Sequence, residues 1–248
     1  MLRRNRVSRG RKRFLPQRQP ALLKPISCVP KSSPSAESSG SAATSTATVA
    51  TLACASGRTR CLLCTPTLIS KRDIQPADIC LCDLDGNMLA GNGPRTSELL
   101  LHLEIYKANP RARAVVHCHP PHATAFAITG TAPPIGLIPE YEIFIGPAAV
   151  ARYETPGTQA FAETVLPFIQ DHNTILLSNH GIVCWADTVT HAEWLFEILE
   201  NYCKTYLIAQ QIGKPLAFLP DEKIQEILAL KRRMGLPDAR IAQLEPHE

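Results

Sequence analysis

Ala114-Val115-Val116-His117-Cys118-His119-Pro120-Pro121 reads as a buried strand that ends in two ligand-grade side chains. The β-branched run favours an extended backbone, and residues two apart on a strand share a face, so His117 and His119 can reach one ion while Cys118 points away. Neither proline can donate to a sheet ladder, so the strand stops there and a helix can start. A second apolar strand, Thr174-Ile175-Leu176-Leu177, runs into Ser178-Asn179-His180-Gly181, where the glycine permits close backbone approach. Upstream stands Glu98. Three neutral imidazoles and one displaceable carboxylate suit a catalytic zinc, whose fourth position must open to substrate. His102, His122, His172 and His191 need no ligand to explain them, since helix faces and turns accommodate histidine.

Outward from these strands the pattern alternates. Thr96-Ser97 precedes the helical spacing Leu99, Leu100, Leu103, Tyr106, so hydroxyls and free N–H groups meet where the helix dipole favours an anion. Glu98 falls in that first turn. A helix is expected from Gly157 to His172, and a long one follows, with Thr190 and Glu193 as a capping box and Gly213-Lys214-Pro215 as its end. Pro220-Asp221 starts a last helix reaching Met234, whose Lys231-Arg232-Arg233 reads as a solvated end. Tyr141 reads as a core or interface residue. Cys61-x-x-Cys64 and Cys80-x-Cys82 read as strands, with a structural zinc site as the rival.

Length suits one domain, 248 residues carrying a sizeable core after about residue 60. The net charge of +4 hides a split: residues 1–60 hold 12 Lys/Arg and one acid, while the remainder holds 14 Lys/Arg and 21 acids. The basic, then Ser/Ala/Thr-rich segment 1–60 has the composition of disorder, a transit peptide or a nucleic-acid arm. No run of eighteen apolar residues exists, so no membrane span is expected. Nine cysteines without a signal peptide point to reduced thiols in the cytoplasm.

Pro94-Arg95-Thr96-Ser97-Glu98, His102, Tyr106, the 114–120 stretch and Asn179-His180-Gly181 together resemble the class II aldolase/adducin family over about residues 61–236. The resemblance implies an α/β three-layer fold, a central mostly antiparallel sheet covered by helices, assembled as a homotetramer. It implies one zinc per subunit on Glu98, His117, His119 and His180. Glu98 is then the acid/base, Thr67, Thr96 and Ser97 bind the substrate phosphate, and a tyrosine, often from a neighbouring subunit, protonates the aldehyde oxygen. The implied activity is reversible cleavage of a phosphorylated ketose such as L-fuculose 1-phosphate into dihydroxyacetone phosphate and an aldehyde. Alternatives within the family are a sugar-phosphate 4-epimerase, a methylthioribulose-phosphate dehydratase and a non-catalytic adducin-like module. No nucleic-acid or membrane partner is implied.

Two departures stand out. The family's first strand ends in a Gly-Asn loop that grips phosphate, absent here, and Leu68 stands where a glycine is common. The codons of residues 46–51, read from their third bases, are compatible with Gly-Asn-Gly-Gly-Asn, so translation of the first ~55 residues out of frame would account for the first departure.

Overall fold

The computed structural model describes residues 48–55, 59–69 and 73–244; the expectations for residues 1–47 lie outside them. In chain order the strands and helices are β1 (Thr48–Ala55), β2 (Thr59–Cys64), β3 (Cys80–Asp83), β4 (Met88–Ala90), α1 (Leu99–Ala108), β5 (Ala114–Cys118), α2 (Pro121–Thr129) and α3 (Pro139–Phe144). After these come β6 (Ala149–Ala151), α4 (Gln159–Glu163), β7 (Thr174–Leu177), β8 (Gly181–Ala186), α5 (Val189–Gln211) and α6 (Asp221–Arg233).

The strands form one eight-stranded sheet in the order β4-β3-β2-β1-β5-β8-β7-β6. Every pairing is antiparallel except β6 with β7. The α/β, mostly antiparallel architecture expected from the sequence is therefore present. The pleat sorts side chains into two cores. Leu62, Cys64, Cys82, Val115, Ile175 and Val183 pack with α1 and α4 on one face. Val116, Cys118, Leu176, Ile182 and Cys184 pack with α2, α3 and α5 on the other. Both faces of β5 are covered, which is why all five of its residues are buried.

The fold begins before residue 60, because β1 is seated between β2 and β5. Its register sets Thr48 opposite His117 and Ala50 opposite Cys64. The start of β1, the ends of β2 and β5 and the start of β8 thus share one end of the sheet.

Three helical expectations need correction. The helix expected over 157–172 is only Gln159–Glu163, continued by turns, because Pro167 lacks an N–H and cannot sit in a helix interior. The cap of α5 is Thr188, whose hydroxyl accepts from the His191 N–H at 3.1 Å, so the helix starts two residues before the Thr190 box would place it. Lys231 is not solvated. Its side chain is fully buried, with Nζ 2.9 Å from Asp238 and donating to the carbonyls of Glu142 and Ile145. Arg240 bridges Asp238 and Glu142, both at 2.8 Å. An unpaired buried ammonium would cost several kcal/mol, so these partners decide whether the segment after α6 stays docked. Tyr141 is core as expected, stacked on Tyr202 with ring centroids 3.8 Å apart.

Candidate metal centre

His117 is the last-but-one residue of β5 and fully buried. Its Nδ1 lies 2.8 Å from the carbonyl of Ile182 on the paired strand β8. A carbonyl only accepts, so Nδ1 carries the proton and Nε2 keeps its lone pair for a ligand. That Nε2 faces His180 Nε2 at 3.0 Å. His119 closes the group, its ring centroid 4.7 Å from that of His117 and 4.8 Å from that of His180.

Ligand atoms of the three histidines lie within 4.8 Å of one another, and this is the convergent metal-ligand group among the described residues. Three imidazole nitrogens from two strand ends, one with its tautomer fixed, fit a divalent ion of borderline softness. His119 and His180 are only half-buried, which leaves one side of the group open. Burial drives all three imidazoles toward the neutral form that metal binding requires. His180 is held down to about 4, first by burial and then by His119.

Local backbone explains the convergence. Asn179 takes the left-handed conformation at φ 57, which asparagine tolerates, and its N–H donates to the Ala127 carbonyl on α2. The tight turn delivers His180. Gly181 follows against the neighbouring strand: a Cβ there would lie 2.5 Å from the Cys118 carbonyl oxygen and 2.6 Å from the His119 ring. The close approach expected of this glycine is thus a contact with the metal-ligand segment itself.

Glu98 is buried at the start of α1, outside the three-histidine group. Its Oε2 has no hydrogen-bond partner, and burial raises its proton affinity. Burial first, and then the charges of His119, His180 and His102, the last one turn past Glu98 on α1, disfavour protonation of His117.

Of the residues expected to bind phosphate, Thr96 is buried and its hydroxyl accepts from the Glu98 N–H at 3.3 Å. It shapes the turn. Ser97 is exposed and Thr67 half-buried. Two backbone bonds lace their loops together: Thr67 N–H to the Pro94 carbonyl at 3.0 Å and Thr96 N–H to the Thr65 carbonyl at 3.1 Å. Leu68 is 95% exposed and forced to φ 59.

The cysteine pairs fall on β2 and β3 as strands, with Cys64 and Cys82 sulfurs 3.9 Å apart and both thiols free. A groove of about 950 Å³ lined by Tyr141, Trp185, Trp194, Tyr202 and Met234 contains none of these site residues.

Two further residues were given no site role from the sequence, where Phe161 was read as part of the apolar side of the helix expected over 157–172. Phe161 on α4 sets its ring centroid 5.2 Å from that of His180 and backs it. Tyr153 stands two residues past the end of β6, on the loop whose Gly157 approaches the Ser97 carbonyl, and is 55% exposed. Tyr106, Tyr141 and Tyr202 are buried.

A mostly antiparallel sheet whose strand ends gather three imidazoles defines an α/β protein with a candidate metal site. Residues 37–207 match the family described as Class II Aldolase and Adducin N-terminal domain, and the chain belongs to that family. It is 36% identical over 150 residues to an L-fuculose phosphate aldolase of Methanococcus maripaludis, covering 60% of this chain and 80% of that protein. It is 29% identical over 170 residues to a 3-oxo-tetronate 4-phosphate decarboxylase of Haemophilus influenzae, covering 67% and 80%. A solved L-fuculose 1-phosphate aldolase superposes with a TM-score of 0.67 at 25% identity, over 77% of this chain and 87% of that one. The chain is a metal-dependent lyase of this family. Among the described residues no helix is long and apolar enough to cross a membrane.

Proposed function

We infer that the protein is a zinc-dependent aldolase that reversibly cleaves a phosphorylated ketose, such as L-fuculose 1-phosphate, into dihydroxyacetone phosphate and an aldehyde. The convergence of His117, His119 and His180 within 4.8 Å carries this reading. These three residues would hold the ion, which when bound supplies Lewis-acid polarisation of the ketose carbonyl and its neighbouring hydroxyl. Everything else falls to the chain's own side chains.

Glu98 is the acid/base. Its burial suits a carboxyl that keeps a proton at one stage and releases it at another. In the cleavage direction Tyr153 takes the proton of the substrate hydroxyl at the bond to be broken, the carbon–carbon bond opens to give the aldehyde, and Glu98 protonates the carbon left behind. Synthesis runs the same transfers backwards. Thr67, Thr96 and Ser97 hold the phosphate, with α1's first turn adding N–H groups and the positive end of the helix dipole. An exposed Tyr153 matches a residue that acts across a subunit boundary, so the assembly is proposed to be the homotetramer.

Metal analysis of the purified chain together with a cleavage assay across ketose 1-phosphates tests the reading. Glu98→Gln is expected to lower turnover by about 10²–10⁴-fold while zinc stays bound, and Tyr153→Phe to slow turnover with little change in KM. Folded protein without zinc affinity, or Glu98→Gln at full activity, would sink the proposal. The decarboxylase relative favours a second reading on the same residues, in which carbon dioxide leaves instead of an aldehyde. Release of carbon dioxide from a 3-oxo-acid phosphate, without aldehyde formation from any ketose, would select it.

A further inference from the structure

His117 has a hydrogen-bonded partner for its non-ligating nitrogen, the Ile182 carbonyl. His119 has ring contacts with His117 and His180 but, among the described residues, no such bond, although metal-binding histidines usually donate their second ring N–H to an acceptor that fixes the ring. Its orientation therefore depends on the backbone that carries it. That backbone is the short stretch His119-Pro120 between β5 and α2, and α2 starts badly: Pro120 at the cap and Pro121 behind it offer no side-chain acceptor for the helix's free N–H groups.

An acceptor arrives from another helix. Glu200, near the middle of α5, takes the His122 N–H at 3.0 Å and the Ala123 N–H at 2.9 Å, and its other oxygen lies 2.6 Å from His122 Nδ1. A carboxylate at this place also complements the positive end of the α2 dipole. We propose that Glu200 is the positioning residue for His119, acting through the first turn of α2, and this role rests on the three-histidine group being a metal site. The anchor holds the proline turn from beyond, the sheet holds it from behind at Cys118, and His119 is fixed between two rigid elements. His122, read from the sequence as a helix-face or turn residue that needs no ligand, is part of the anchor.

The test uses the full-length protein, with Zn(II) affinity measured by competition against a chromophoric chelator and the visible spectrum of the Co(II)-loaded form. Glu200→Ala is expected to weaken Zn(II) binding by about 10–100-fold and to change the Co(II) spectrum. Glu200→Gln, which keeps an amide oxygen as acceptor, should recover part of both. Tyr206→Leu loosens the same α2–α5 contact through Phe126, 5.8 Å away ring to ring, and should lower Tm without moving either metal readout. Should Glu200→Ala fail to fold, Glu200→Gln decides by the same two measurements. Wild-type affinity and spectrum in the folded Glu200 variants, beside a His117→Ala protein that has lost zinc, would overturn the positioning role alone. Wild type binding no better than His117→Ala would overturn the metal reading and this role with it.

Discussion

His117 lies near the end of β5 and Thr67 just past the end of β2, at the same end of the sheet, yet their surroundings are built by different means. The candidate ligand His117 is the product of ladder register: β5 and β8 pair residue by residue, and one backbone carbonyl sets the imidazole tautomer. The loop that carries Thr67 is the product of turns. It is tied to the Pro94-Thr96 segment by two backbone bonds, and it places a leucine in a conformation that costs a side chain about 1–2 kcal/mol. A centre fixed by strands tolerates almost no change, whereas one fixed by loops can lose a part and keep its outline.

The contrast is most easily broken at Gly181. In Gly181→Ala the new methyl group would overlap the Cys118 carbonyl and the His119 ring, so zinc affinity should fall by at least 10-fold, read by chelator competition. Unchanged affinity would mean that the strand register does not control the ligands. Ser97→Ala probes the other side. Its expected outcome is a KM for phosphorylated substrate raised about 10-fold with zinc binding unaltered, the loss of one charge-assisted hydrogen bond. An equal effect on a non-phosphorylated analogue would take Ser97 out of the phosphate role.

The smallest effect sharpens the comparison best. Leu68→Gly should stabilise the protein by about 1 kcal/mol and raise Tm by ~2–4 °C, because glycine adopts the positive φ without penalty. A fall in Tm would show that the exposed leucine is held by contacts beyond this chain. Any gain in phosphate affinity accompanying the rise would show that the backbone of the loop had been strained away from its ligand.

The same division governs what could be read in advance. The strand 114–118, the histidine pair on one face and the glycine after His180 were legible because hydrophobic period and proline punctuation encode them locally. Lys231 was misjudged because its partners, Asp238 and Glu142, are brought to it by tertiary packing that no local pattern records. Glu98 carried the right residue type in the right turn, but its distance from the histidine group is set by how α1 lies on the sheet. Thr96 has the right chemistry for a phosphate, and its hydroxyl oxygen also accepts from the Glu98 N–H within the turn. The α5 cap slipped by two residues because two threonines stand in line and only geometry chooses between them.

Strand β1 has one more consequence, which concerns how the sheet is joined. The strands β1 to β4 form a meander on one side, and β5 to β8 form a group on the other. Among the described residues the two groups meet in the sheet through a single seam, the four residue pairs between Thr48–Thr51 and Ala114–His117. The first group closes through contacts near in sequence, whereas the seam, like the β5–β8 pairing of the second group, spans more than sixty residues and forms late. A polypeptide begun at residue 61, where composition changes, would therefore consist of two half-sheets with bare edges facing each other. Thr67 would stand on one of them and His117 on the other.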